Sequence, residues 1–191
     1  MNGFGAFLSA VLAQNAVLVG MFGLDLFART TEKTARALWA SLVLGVSAVA
    51  SAALSWLLER FVLAPAGLES LRLVAFAAVM VLVSAAASAL VRRWLPALAK
   101  ELGVYVPLVT LNTAVLGTVL RAAGGAYGLG TCVLYALGTA VGFLLISLVF
   151  SGLRERLAYA ESPKAFRGLP LLLVTAALLY LSFMGFVGMS F

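Results

Sequence analysis

The chain has 191 residues, of which 64% are hydrophobic and 10% charged, whereas about a quarter of the residues in a typical soluble domain carry a charge. This composition excludes an ordinary water-soluble fold and predicts an all-α integral membrane protein. The chain has no histidine and one cysteine, which excludes an internal disulfide, a Cys/His zinc site and a histidine-ligated haem within this chain.

Six apolar stretches are long enough to cross a bilayer, whose hydrocarbon core needs roughly 20 helical residues. We predict transmembrane helices at about 4–23, 37–58, 73–91, 102–120, 131–152 and 168–189. The first stretch has no Lys or Arg, so we interpret it as a retained membrane helix and not as a cleaved signal peptide. The intervening loops are short, so we expect one membrane domain over residues 1–191.

The basic residues lie in these loops, and their number alternates from one loop to the next. Loops one, three and five hold ten of them: Arg29, Lys33, Arg36, Arg92, Arg93, Lys100, Arg154, Arg156, Lys164 and Arg167. Loops two and four hold three: Arg60, Arg72 and Arg121. The richer side should be cytoplasmic, which predicts that both termini lie outside. This topology accounts for the excess of basic residues without nucleic-acid binding.

A short motif occurs twice, about half a chain length apart. NAVLVG at 15–20 is similar to NTAVLG at 112–117, with Asn and Gly in matching positions. Because each half would hold three helices, an odd number, the halves would have opposite orientations. We therefore predict two inverted three-helix repeats, at about 1–97 and 98–191, a plan whose functional site lies near the membrane midplane.

Amides interrupt the first and fourth predicted helices. Gln14, Asn15 and Asn112 each need a hydrogen-bonding partner in a hydrocarbon environment. Pro107, five residues before Asn112, removes a helical donor and favours a break. We predict that helices one and four are discontinuous and that the three amides form a central polar site; amides that only join neighbouring helices are the alternative.

Asp25 follows Asn15 by ten residues, and its role depends on its depth. A carboxylate at the bilayer centre costs roughly 2.5–3.5 kcal/mol. If the first helix ends at Gly23, Asp25 is interfacial, close to Arg29. If that helix is broken, Asp25 can face the core as a candidate ion or cofactor contact.

Other polar or small-residue segments have simpler interpretations. SAAAS (84–88) and GTAVG (138–142) predict close helix packing, and Cys132 is expected to be a small hydrophobe near a helix start. The loop RERLAYAESPKAFRG (154–168) is either a docking surface for another protein chain or an acidic lipid, or a topology anchor.

Four segments of the chain are distinctive: QNAVLVGMFGL (14–24), VPLVTLNTAVLG (106–117), AVGFLLISLVFSGLRERLAYAESPKAFRG (140–168) and FMGFVG (183–188). Together they resemble the six-span RnfA/NqrE-type subunits of the Rnf and Nqr membrane complexes. The resemblance implies a role in coupling electron transfer to Na+ or H+ translocation in a bacterial or archaeal cytoplasmic membrane. It also implies an inverted pairing with an RnfE/NqrD-type sister subunit, beside the other members of the complex. Catalysis by this chain alone is not expected, because the sequence has no soluble-enzyme motif.

The same resemblance implies a 2Fe–2S cluster at the midplane, held by two cysteines from each member of the pair. The matching positions in this chain are Asp25 and Thr113, and Ser88 stands where the family commonly has an acidic residue. Carboxylate and hydroxyl groups are poorer iron–sulfur ligands than thiolates, so the sequence makes the cluster doubtful here. The correspondence places Asp25 deep, where we expect it to be neutral or to bind a cation.

Two alternatives to the redox complex stay open. One is a cluster-free paralogue that uses the inverted-repeat scaffold as a carrier for an ion or small solute, with Asp25, Asn15 and Asn112 at its site. The other is a purely structural subunit.

Overall fold

Helix is the regular secondary structure of the chain wherever the computed structural model describes it, at residues 3–13, 34–94, 106–124, 127–159 and 168–186. No strand occurs within these ranges. Helices satisfy their own backbone hydrogen bonds, which is the requirement that lipid imposes on a spanning segment. The predicted all-α architecture is confirmed for this part of the chain.

Seven α-helices of five or more residues, and one α-helical turn of three residues, are present in the described ranges. Helix α1 spans Gly3–Leu8 and continues in a π-helical turn, Ser9–Ala13. The longer and later helices are α2 (Thr34–Leu58), α3 (Arg72–Trp94), α4 (Val106–Thr110), α5 (Thr113–Ala123), α6 (Leu129–Ala158) and α7 (Leu169–Phe183). Helix α7 ends in a 3-10 turn, Met184–Phe186. Two further turns, described below, extend α2, and a 3-10 turn, Glu69–Leu71, precedes α3.

Four helical segments in the described ranges are long and apolar enough to cross a membrane. They are Ala35–Ala66, Glu69–Trp94, Val106–Ala123 and Leu129–Leu157, and they coincide with predicted helices two to five. Two further apolar helices, Gly3–Leu12 and Pro170–Phe183, are shorter. They lie within the first and sixth predicted spans, parts of which fall outside the described residues.

Two predicted loops begin later than the sequence suggested. The loop predicted at 59–72 is wrong in its first half, because α2 continues through a π-helical turn, Glu59–Leu63, and a last turn, Ala64–Ala66. The chain reverses at Gly67, whose left-handed φ of 65° favours glycine. Likewise α6 runs on to Ala158 through the basic segment. Charged residues end a hydropathic stretch, but Arg and Glu are good helix formers.

Helices α2 and α6 form the centre of the bundle. They run antiparallel, since Gly45 lies against Ala140 and the Cys132 thiol lies 3.6 Å from the Ala52 carbonyl oxygen. The contact face of α2 is a buried stripe of small and medium side chains at every fourth position: Ala40, Leu44, Ala48 and Ala52. Such a stripe lets two helix backbones approach closely in a membrane.

Gly138 brings α1 into this core. A Cβ atom at Gly138 would lie 2.6 Å from the Phe7 carbonyl oxygen and 2.9 Å from the Ala10 Cβ atom. The backbone of α6 therefore touches α1 because residue 138 has no side chain. This contact confirms the packing interpretation of the segment that begins at Gly138.

We expect Gly138→Ala to lower the stability of the bundle by about 1–3 kcal/mol, because the added methyl group forces α1 away from α6. Thermal unfolding of the purified protein in detergent measures the change. Gly152→Ala is the matched control on the same helix, since a Cβ atom there meets nothing within 4 Å. Equal melting temperatures for the two variants would contradict the proposed contact.

Candidate functional site

The fourth predicted span is interrupted near its centre. Helix α4 ends at Thr110 and α5 begins at Thr113, while Asn112 between them has an extended backbone with φ −109° and ψ 147°. The break lies beyond Pro107, whose carbonyl oxygen still accepts the Leu111 N–H at 2.8 Å. The predicted discontinuity of this span is thus confirmed, and its centre is the asparagine.

Asn112 caps the second half of the broken span. Its Oδ1 accepts hydrogen bonds from the Ala114 N–H and from the Thr113 hydroxyl, both at 3.2 Å. Asparagine is among the best N-cap residues because its side chain satisfies a donor that the first helical turn leaves unpaired. The cap explains why a span can be broken inside an apolar segment.

The other end of the same side chain has no partner among the residues the structure describes. Asn112 is only 7% exposed, and its Nδ2 is buried without a hydrogen-bond acceptor in those ranges. A buried amide nitrogen without an acceptor costs about 1–3 kcal/mol. The unpaired Nδ2 and the positive end of the α5 dipole lie at the same place. The break therefore favours the binding of a hydrogen-bond acceptor from outside the described residues.

Thr113, one of the two residues at the predicted cluster-ligand positions, is the first residue of α5 and is exposed. Its hydroxyl donates to the Asn112 side chain. The second of these residues, Asp25, lies outside the described residues, as do Gln14 and Asn15. The structure therefore places Asn112 and Thr113 together and does not test the position of the other three.

A second polar contact ties the break to α3, and sequence reasoning missed it. The Thr110 hydroxyl lies 2.6 Å from the Ser84 hydroxyl and 2.9 Å from the Val106 carbonyl oxygen. Both side chains are buried, so the bond fixes the end of α4 against α3. Two features of the sequence could have indicated this contact. Thr110 lies two residues before Asn112, and Ser84 is the first residue of the small-residue segment SAAAS.

The described donor set does not fit a thiolate-ligated cluster. Thr113 offers a hydroxyl, which is a poor ligand for iron–sulfur clusters. Cys132 is the only cysteine of the chain, and it is buried in the first turns of α6 against α2. Helix α5 places roughly 15 Å between Thr113 and the turn that leads to α6. The described ranges also hold no group of three or more Cys, His, Asp or Glu residues suited to a metal ion.

Replacing Asn112 separates its two roles. Both Asn112→Ala and Asn112→Ser remove the buried amide nitrogen, but only the serine hydroxyl can still accept from the helix N–H groups. We therefore expect the free energy of unfolding of Asn112→Ala to lie about 1 kcal/mol below that of Asn112→Ser. Thermal unfolding in detergent checks both. If the serine variant were as unstable as the alanine variant, the cap would not be the stabilising contact.

The chain matches known proteins over nearly its full length. Residues 4–190 match the family model described as "Rnf-Nqr subunit, membrane protein". Several similar proteins are named as the A-type member of the "Ion-translocating oxidoreductase complex". The one from Azoarcus sp. (strain BH72) is 39% identical over 183 residues, covering 96% of this chain and 95% of that protein. The one from Aromatoleum aromaticum is 41% identical over 182 residues, covering 95% and 94%. The one from Thioalkalivibrio sulfidiphilus is 40% identical over 182 residues, covering 95% of each.

Proposed function

Because the chain belongs to the Rnf-Nqr family of membrane subunits, we propose that it serves as the A-type member of an ion-translocating oxidoreductase complex. In this role it takes part in coupling electron transfer to the movement of Na+ or H+ across the membrane. The observation that carries the proposal is the family match, which leaves almost no residue of the chain outside it. Electron-donor chemistry would reside in flavin or nicotinamide sites on the other members of the complex.

The proposed architecture is six spans in two inverted repeats, at about 1–97 and 98–191, with both termini outside. Support comes from how the helices pack. The π-helical turn Ser9–Ala13 packs against α6, and α4, which lies 97 residues later at Val106–Thr110, packs against α2. If span one is equivalent to span four and span two to span five, these two contacts are the same contact seen twice. The extensive α2–α6 contact then lies on the pseudo-twofold axis.

The centre of the proposed mechanism is the break at Asn112. The amide donors of Asn112 are buried, and the N-terminus of α5 beside them carries the positive end of the helix dipole. The break therefore suits a hydrogen-bond acceptor supplied by the other repeat or by an RnfE/NqrD-type sister subunit. Gln14, Asn15 and Asp25 are the proposed counterparts from the first repeat. A carboxylate there would give the translocated cation a ligand or a proton acceptor.

The resemblance implies that this chain supplies two ligands to a 2Fe–2S cluster, and the mechanism that we propose differs on this point. We propose that Thr113 is not a cluster ligand and that it instead supports the Asn112 cap, because its hydroxyl already donates to Asn112 Oδ1. A cluster held by two thiolates from this chain is therefore not part of the proposed mechanism.

We expect Asn112→Ala to reduce electron-transfer-driven cation uptake about tenfold, the equivalent of one buried hydrogen bond. The measurement uses membrane vesicles that contain the whole complex, with reduced methyl viologen as donor and 22Na+ or a pH dye as readout. Asn112→Ser serves as the control for stability, since it keeps the cap but lacks the amide donors. Uptake at the wild-type rate in both variants would refute a coupling role for the amide.

The Thr113→Val variant tests whether the Thr113 hydroxyl is a ligand of an iron–sulfur cluster. We expect the purified complex to keep the same iron content per chain, and the same electron paramagnetic resonance spectrum after reduction with dithionite, because the hydroxyl is not a ligand. A 2Fe–2S signal that shifts or disappears in the variant would show that the oxygen at position 113 binds iron.

A cluster-free carrier is the second candidate, favoured by the hydroxyl at position 113 and the burial of Cys132 away from the break. In that case the chain in vesicles, alone or with its sister subunit, would take up the ion without any electron donor. Uptake that requires both the donor and the remaining members of the complex supports the first proposal instead.

A further inference from the structure

A cavity of about 490 Å³ lies at the end of the bundle opposite the basic loops, separate from the break at Asn112. It sits where α2 ends, α3 begins and α5 turns into α6. The lining residues are Trp56, Glu59, Arg60, Ala64, Arg72, Ala123, Gly124, Tyr127 and Gly128. Glu59 and Arg60 belong to the π-helical turn that extends α2, and Ala64 directly follows it. Such turns occur frequently at functional sites.

The cavity presents one positive charge that its own lining does not neutralise. Glu59 is used by Arg72, whose Nε donates to Glu59 Oε1 at 3.0 Å and whose Nη2 donates to the same oxygen. Arg72 Nη1 also lies 3.4 Å from the Gly124 carbonyl oxygen. The second carboxylate oxygen of Glu59 is buried. Arg60 is exposed and has no acidic partner in the described part of the chain.

The walls of the cavity place it at the level of lipid headgroups. Trp and Tyr are enriched at both surfaces of a membrane, where one edge of the ring is apolar and the other meets water. Here the Trp56 indole N–H donates to the Tyr127 carbonyl oxygen at 2.8 Å, which fixes the indole at the mouth of the α5–α6 turn. Arg72 opens α3, so the cavity is at the boundary of the apolar segments.

An apolar groove of about 480 Å³ lies on the outer face of α2 and α3. It is lined by Leu54, Leu57, Leu58, Phe61, Val62, Val79 and Leu82. Phe61 and Val62 follow Arg60 directly, while Leu82 lies ten residues beyond Arg72, or roughly 15 Å deeper along the helix. The groove therefore runs from headgroup level toward the middle of the membrane, as an acyl chain does.

We propose that this end of the bundle binds one phospholipid, with its phosphodiester against Arg60 and Arg72 in the cavity and one acyl chain in the groove. The uncompensated arginine supplies charge complementarity to phosphate, and a guanidinium suits the phosphate oxygens. A free phosphate ion has the same charge chemistry but makes no use of the groove. The site is independent of the redox and cation chemistry at Asn112.

The test is retention of dioleoyl-phosphatidylglycerol by the full chain, purified with its accompanying subunits in mild detergent and examined by native mass spectrometry. We expect Arg60→Gln to weaken binding about fivefold, the effect of one interfacial arginine. Leu82→Trp fills the groove and should weaken binding as well. Arg93→Gln, an exposed basic residue at the other end of α3, should leave binding unchanged.

Three results would overturn the proposal. Arg60→Gln and Arg93→Gln could lower retention equally, which would mean that only general surface charge attracts the lipid. Leu82→Trp could leave retention unchanged while an excess of inorganic phosphate displaces the lipid, which would mean that the cavity is an anion site without an acyl chain. The wild-type protein could also lose all phospholipid at the first detergent wash.

Discussion

Every backbone N–H and C=O group of a membrane span needs a partner inside the protein, because lipid offers none. Most of this chain meets the requirement with long helices such as α2 and α6. The fourth span does not, because its helix stops and starts again at Asn112. The arrangement is tolerated because the asparagine side chain replaces the missing helical acceptor and because Thr110 is bonded to Ser84 on α3.

The same constraint confines the polar groups of the fourth span to the depth of the break at Asn112. The residues flanking the break are mostly apolar, so Asn112 and the first turn of α5 are where a charge or an acceptor can be stabilised within the span. The remaining amide donors of Asn112 are buried without an acceptor in the described ranges. This buried donor is the group through which we propose that the local cap takes part in the function of the chain.

The chain matches the family over its scaffold, whereas the resemblance implies that it departs from the family at two cluster-ligand positions. The family match extends over residues 4–190, while the resemblance places a threonine and an aspartate where cluster-ligating cysteines are expected. Packing explains how this is possible. The central contact of α2 with α6, the approach of α1 at Gly138 and the cap at Asn112 involve neither Thr113 Oγ1 as a metal ligand nor Cys132 as a thiolate. The fold does not require a cluster ligand from Thr113 or Cys132.

Composition and periodic hydropathy were sufficient to identify the membrane class, the positions of spans two to five and the interruption by Asn112, because these depend on local transfer free energies and on single polar side chains. Composition and hydropathy did not predict where the helices end. A charged residue such as Glu59 leaves the hydropathic stretch without leaving the helix, so α2 runs on to Ala66. The Ser84–Thr110 bond, the fit of Phe7 onto Gly138 and the cavity at Arg60 and Arg72 join residues distant in the chain. Only the three-dimensional packing of the helices could bring these residues together.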